Sequence, residues 1–126
     1  MLGNLDVRPT LAVRDMAAAR AFYEGKLGLS VIDDRLEGAV TYKAGHGELF
    51  VYQSSYAGTN QATAASWDAG DQLDAVVAAL RGEGVAFEHY DLPGMRRDGD
   101  IHSGEGMRVA WFKDPDGNIL ALGAGG

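Results

Sequence analysis

Few side chains in this chain of 126 residues could do chemistry at a catalytic or metal site. The sequence contains three histidines, His46, His89 and His102, and no cysteine. No two histidines have the i, i+4 or short-loop spacing with which proteins hold a metal ion. The absence of cysteine excludes disulfides, thiolate metal sites and a cysteine nucleophile. The pattern therefore predicts no metal site.

Other catalytic motifs are also missing from the sequence. No serine lies in the strained Gly-x-Ser-x-Gly turn of a hydrolase nucleophile. The glycines fall at predicted helix ends and turns, and none forms a phosphate-binding loop. Carboxylates are plentiful, but their spacing pairs none of them for acid–base work. The sequence therefore names no catalytic residue.

The composition limits the classes of partner. The net charge is −7 and the pI about 4.7, so the surface repels phosphate backbones and nucleic acid is not an expected partner. An acidic surface favours cationic small molecules, although it also simply keeps a protein soluble. No apolar run approaches the roughly 20 residues that cross a bilayer, and the N-terminus lacks a secretory pattern. We expect a cytoplasmic protein that does not act at a membrane.

Two apolar runs flank Asp-Pro-Asp-Gly in residues 109–122 and predict a β-hairpin. Pro115 presets φ for the first turn position, and Gly117 can adopt a positive φ. A hairpin with this short loop would pair Lys113 with Asn118, Phe112 with Ile119, Trp111 with Leu120, and Ala110 with Ala121.

The hairpin pattern occurs twice, which indicates an internal repeat. Adding 70 to the residue number takes residues 43–52 to residues 113–122, and adding 56 takes Asp15 to Asp71 and Gly28 to Gly84. Each half reads as strand, helix and three strands. The difference between the offsets places about fourteen extra residues between Tyr90 and Gly106.

The predicted helices cover residues 16–26 and 72–83. Asp15 and Asp71 are expected to cap their N-termini, because a carboxylate accepts from the free N–H groups of the first turn. The Gly-rich residues 91–106 form either a mobile lid or a solvated loop. Residues 123–126 are expected to be a frayed end.

Residues 11–29 and 109–122 resemble the vicinal oxygen chelate superfamily, which includes glyoxalase I, bleomycin-resistance proteins and extradiol dioxygenases. The resemblance implies an α+β fold, in which two βαβββ modules form a cup-shaped curled mixed sheet with the helices outside. The chain would be one domain, residues 1–126, with module one at 5–53, a connection at 54–61 and module two at 62–123. A homodimer is also implied.

Metal-dependent members of this superfamily hold a divalent ion at four cup-facing positions. The spacing to Asp15 and to the hairpins places these positions at Arg8, Val51, Ala64 and Ala121. A guanidinium cannot coordinate a metal ion, and valine and alanine have no donor atom. We therefore expect neither a metal nor another cofactor.

Period-two alternation from these four positions assigns the walls of the cup. Trp67 and Trp111 would pack under the helices, away from the cup. Arg8 and Asp68 would either neutralise each other, or Arg8 would receive an anionic group of the ligand. The predicted ligand-binding residues are Arg8, Thr10, Tyr42, Leu49, Val51, Ser66, Asp68, Ala110, Phe112 and Ala121.

This largely apolar cup favours a metal-free protein that binds or sequesters a small hydrophobic or aromatic molecule, similar to the bleomycin-resistance branch. The alternative is a glyoxalase-like lyase or isomerase, or a dioxygenase, of the same superfamily. A third possibility is an interaction module whose own side chains fill the cup.

Overall fold

The computed structural model describes residues 1–125, in which two β-sheets and two helices form an α+β fold. Helix α1 (Met16–Arg20) continues directly into a π-helical segment (Ala21–Lys26), and α2 covers Leu73–Gly82. No helix within residues 1–125 has the length and apolar character that a membrane crossing requires.

The first sheet has the strand order β1-β4-β3-β2, with β1 parallel to β4. The second has the order β5-β10-β9-β8-β7, with β5 parallel to β10. The strands of the first sheet are β1 (Thr10–Val13), β2 (Ser30–Asp33), β3 (Ala39–Ala44) and β4 (Gly47–Gln53). Those of the second are β5 (Thr63–Asp68), β6 (Phe87–Glu88), β7 (Arg96–Asp98), β8 (Ile101–Gly104), β9 (Met107–Lys113) and β10 (Ile119–Gly125).

The additional residues of the second half divide the strand that pairs with β9 into two separate strands, β6 and β8. Strand β6 pairs with Trp111 and Phe112, and β8 pairs with residues 107–109 of the same strand. Because β10 occupies the other edge of β9, β6 and β8 must lie end to end along one edge. The segment between them, residues 89–100, is called the insertion below. It contains β7, so residues 91–106 include a β-hairpin that the sequence did not predict.

The predicted register of the C-terminal hairpin is wrong by one residue. Phe112 pairs with Leu120, and Lys113 with Ile119. The turn is longer than predicted, because the Asp114 carboxylate accepts hydrogen bonds from the backbone of Asp116 and Asn118. Gly117 adopts a φ of 89°, as the turn requires. Strand β10 continues to Gly125, so residues 123–125 are not frayed; residue 126 lies outside the described residues.

One of the two predicted helix caps is confirmed. The Asp15 carboxylate accepts a hydrogen bond from the backbone of Ala18 at 3.2 Å. The Asp71 cap is wrong, because a 3-10 turn (Gly70–Gln72) precedes α2 and no side chain caps that helix. Asp71 therefore lies inside the turn and not at the helix boundary.

The two sheets share one hydrophobic core on the side that carries the helices. The ring of Phe22, from the first half, lies 6.3 Å from that of Phe112, in the second. The Tyr23 hydroxyl donates to the Asp114 carboxylate at 2.8 Å. The connection between the halves also touches the C-terminal turn, since a Cβ on Gly58 would lie 1.9 Å from the carbonyl oxygen of Asp116. We call the side of the sheets that carries the helices and the core the helix face, and the opposite side the open face.

Candidate functional site

The open face of the first sheet carries a half-exposed aromatic row. Phe50 and Tyr52 of β4 lie on it beside Thr10 of β1, because Thr10 is the strand partner of Phe50. The two rings are stacked with centroids 6.1 Å apart. The Arg8 guanidinium lies 4.4 Å from the Phe50 ring centroid and also pairs with Glu48 at 3.6 Å. This surface offers flat apolar area with one cation at its edge.

The open face of the second sheet carries Trp111. Its strand partner Ala121 and the next partner Ser66 share this face. The Trp111 indole nitrogen donates to the Thr63 hydroxyl at 3.2 Å. The prediction that Trp111 packs under the helices is therefore wrong, whereas Trp67 does face the helices, where it packs against the core.

Five of the predicted ligand-binding residues lie on the helix face instead of the open face. Val51 pairs with Leu11 of β1, which belongs to the core, so the alternation along β4 was started from the wrong residue. In the second half, the one-residue error in hairpin register reversed the faces. The residues misplaced in this way are Tyr42, Leu49, Val51, Ala110 and Phe112, each at most 2% exposed.

Tyr42 belongs to a polar network beside the π-helical segment. Its ring stacks on Tyr23 at 6.0 Å, and its hydroxyl donates to Glu24 at 2.8 Å. Arg20 donates to the same carboxylate. Burial and the hydrogen bond to Glu24 raise the pKa of the Tyr42 hydroxyl, which keeps it a proton donor. The hydrogen bond from Arg20 lowers the pKa of Glu24. This network connects the helix to β3, and Tyr42 itself is fully buried within it.

Of the remaining predicted residues, Arg8, Thr10, Ser66 and Ala121 are on or near the open face, and Arg8 and Asp68 do not neutralise each other. Arg8 pairs with Glu48, and the Asp68 carboxylate accepts from the backbone of Gly70 at 3.1 Å. Thr10 and Ser66 are exposed, and Ala121 is 4% exposed. Asp68 and Phe112 instead line a separate, mainly apolar cavity of about 250 Å³ on the helix side.

The divalent ion that the resemblance implies does not fit these positions. Val51 points into the core, and the β4 side chains on the open face near Arg8 are Glu48, Phe50 and Tyr52, of which the only carboxylate, Glu48, is paired with Arg8. Neither an aliphatic side chain nor a phenylalanine ring supplies the oxygen or imidazole ligands that such ions need. Within residues 1–125, no three histidine or carboxylate side chains are grouped to hold a metal.

Sequence reasoning missed two residues beside Trp111, the buried His102 and the partly buried Tyr90. His102 was placed in a Gly-rich loop, but it lies in β8 and is 1% exposed. Its ring centroid lies 4.9 Å from that of Trp111, and the Tyr90 ring lies 5.3 Å from Trp111. Strand β8 has only four residues, Ile101–Gly104, and without an alternating burial pattern it does not stand out among the surrounding glycines.

The insertion is anchored to the body of the protein through Asp100. This carboxylate contacts His89 at 2.7 Å and Arg81 of α2 at 2.9 Å. The hydrogen bond from His89, assisted by the charge of Arg81, lowers the pKa of Asp100.

Replacing Asp100 by asparagine should therefore destabilise the protein near neutral pH and not in acid. A carboxyl group with a lowered pKa stabilises the fold above its unfolded-state pKa of about 4, and this contribution disappears as the pH falls through the folded-state value. Urea unfolding of the wild type and D100N between about pH 7 and pH 3 would measure the difference. D91N, at an exposed carboxylate of the insertion, is the control; equal pH profiles for D100N and the wild type would contradict the anchor.

Comparisons with known proteins agree with this architecture. Residues 7–122 match the family model of the Glyoxalase/Bleomycin resistance protein/Dioxygenase superfamily. No curated protein matches the chain.

Among solved structures, the chain is similar to a glyoxalase/bleomycin resistance protein from Catenulispora acidiphila, with a TM-score of 0.71 and 25% identity over 96% of this chain and 98% of that one. It is also similar to lactoylglutathione lyase from Agrobacterium tumefaciens, with a TM-score of 0.70 and 19% identity over 97% and 94% of the two chains. The fosfomycin resistance protein of Listeria monocytogenes has a TM-score of 0.70 and 16% identity, over 96% and 93%. Neighbours with such different activities share the fold and not the function. The match over residues 7–122 shows that the chain belongs to the glyoxalase/bleomycin resistance protein/dioxygenase superfamily.

Proposed function

We propose that the protein binds a small hydrophobic or aromatic molecule on its open face and sequesters it without converting it, as in antibiotic resistance by sequestration. The observation that carries this proposal is the set of half-exposed aromatic rings on that face, Phe50 and Tyr52 on one sheet and Trp111 on the other. Stacked and edge-on contacts with such rings give affinity to planar ligands.

The side chains at the four metal positions support binding over metal-assisted turnover. A lyase, isomerase or dioxygenase of the kind found in this superfamily would need oxygen or imidazole ligands at Arg8, Val51, Ala64 and Ala121. The chain has a cation and three aliphatic side chains there. The enzyme alternative is therefore the less favoured one.

A second copy of the chain would complete the binding surface. In the monomer, Tyr52 is 37% exposed and Met107 51% exposed. Covering such side chains removes apolar area from water, which favours association. We propose a homodimer whose open faces enclose the ligand, acting in the cytoplasm, where a protein without cysteine needs no oxidising environment.

Tryptophan fluorescence can test the proposal, because the two tryptophans lie on opposite faces. We expect copper-free bleomycin, which is cationic and carries planar heteroaromatic rings, to quench the emission in a saturable way. The quenching should persist in W67F and disappear in W111F, because only Trp111 is on the open face.

Recovery of the ligand after incubation separates binding from turnover. Chromatography with mass detection should return the bleomycin unchanged and in stoichiometric complex with the protein. Conversion of the ligand would favour the enzyme alternative. Quenching that is lost in W67F and kept in W111F would place the ligand on the helix side and contradict the open-face site.

A further inference from the structure

His102 has a hydrogen-bond donor with no partner inside the protein. Its Nε2 accepts from the backbone N–H of Tyr90 at 3.0 Å, so this nitrogen carries no proton. In a neutral imidazole the proton must then be on Nδ1. Nδ1 is buried and has no hydrogen-bond partner among the described residues. Leaving a buried donor unpaired costs about 1–3 kcal/mol, so a partner should be expected from outside the chain.

The Tyr90 hydroxyl is also buried, and it too has no hydrogen-bond partner within residues 1–125. The rings of Tyr90 and His102 are 6.2 Å apart, and both pack edge-on against Trp111. We define these three residues, Tyr90, His102 and Trp111, as an aromatic box that carries two buried polar groups without partners. Tyr90 also forms one wall of a cavity of about 290 Å³, which it shares with Asp91 and Met95 of the insertion.

We propose that this aromatic box recognises a hydrogen-bond acceptor oxygen of the ligand, such as a carbonyl, through His102 Nδ1–H and the Tyr90 hydroxyl. The inference rests on the proposed function, because the box includes Trp111, whose ring lies on the open face. It adds a chemical requirement that the aromatic row alone does not impose. An apolar molecule of the same shape leaves both donors unpaired, so it binds less tightly.

The test compares two small probes of nearly equal shape, acetophenone and ethylbenzene, of which only the first has an acceptor oxygen. We expect the wild type to bind acetophenone about ten-fold more tightly, the effect of roughly one buried hydrogen bond. The variant Y90F should lose most of this preference for acetophenone over ethylbenzene. Y56F removes the hydroxyl of an exposed tyrosine and serves as the control.

The ¹⁵N signal of His102 Nδ1 gives a readout that a purely structural role would not move. Acetophenone should shift this signal in the wild type, and ethylbenzene should not. Equal affinities for the two probes, unchanged in Y90F, would mean that the two donors hold only a buried water and would overturn the inference while leaving the proposed function standing. If neither probe nor bleomycin binds, the inference and the proposed function both fail.

Discussion

Replacement of Asp114 by alanine is expected to lower the free energy of unfolding by about 3–4 kcal/mol. This carboxylate is 5% exposed and accepts four hydrogen bonds. Two come from the backbone of Asp116 and Asn118, one from the Asn118 amide and one from the Tyr23 hydroxyl. Removing the acceptor leaves these buried donors unpaired. Burial, followed by the charge of Asp114, raises the pKa of Tyr23, so its hydroxyl stays protonated and donates to this carboxylate.

Urea unfolding followed by circular dichroism measures this loss directly. The control is D71A, which removes an exposed carboxylate that caps no helix. D71A should change the free energy of unfolding by less than about 0.5 kcal/mol. A loss below about 1 kcal/mol in D114A would mean that water replaces the carboxylate and that the network contributes little.

The C-terminal hairpin illustrates what the sequence could predict and what it could not. The turn was recognisable from Asp-Pro-Asp-Gly, because proline and glycine act on their own local backbone. The register was not, because it depends on how the Asp114 carboxylate folds back onto the turn. The bond from Tyr23 to Asp114 joins residues 91 positions apart, and no local pattern indicates such a contact.

Replacement of Phe112 by alanine is expected to destabilise the protein by about 3–5 kcal/mol, since it opens a cavity in the core. Phe112 is 1% exposed, and its ring centroid lies 6.3 Å from that of Phe22 and 5.7 Å from that of Phe87. Trp111, the preceding residue of β9, faces the other way. W111A should cost less stability and reduce the affinity for an aromatic ligand roughly ten-fold.

The two neighbouring variants make the assignment of faces testable. Thermal unfolding gives their stabilities, and ligand affinity is measured below the transition of each. F112A should bind as the wild type does once its folded fraction is taken into account. If F112A loses affinity but keeps full stability, Phe112 contacts the ligand, as the sequence predicted, and its place on the helix face is contradicted.

The face on which each side chain lies was predicted correctly only where the alternation began from a residue whose own face was right. Along β1, the core residues Leu11 and Val13 fixed the opposite face, so Arg8 and Thr10 were assigned properly. Along β4 and β9 the starting residue was wrong by one position. Because successive side chains of a strand point to opposite faces, an error of one residue assigns every side chain to the wrong face. The box of Tyr90, His102 and Trp111 could not be predicted, because the insertion separates its parts in sequence.

The contacts of α1 and its π-helical extension with the C-terminal hairpin determine how the repeat behaves as it unfolds. Within residues 1–125 no strand pairing joins the two sheets, yet Phe22 and Tyr23 of the first half pack on Phe112 and Asp114 of the second. Neither half can therefore open without uncovering the apolar surface of the other. We therefore expect the two halves to unfold together as a single cooperative unit, and a half expressed alone to lack part of its own interior.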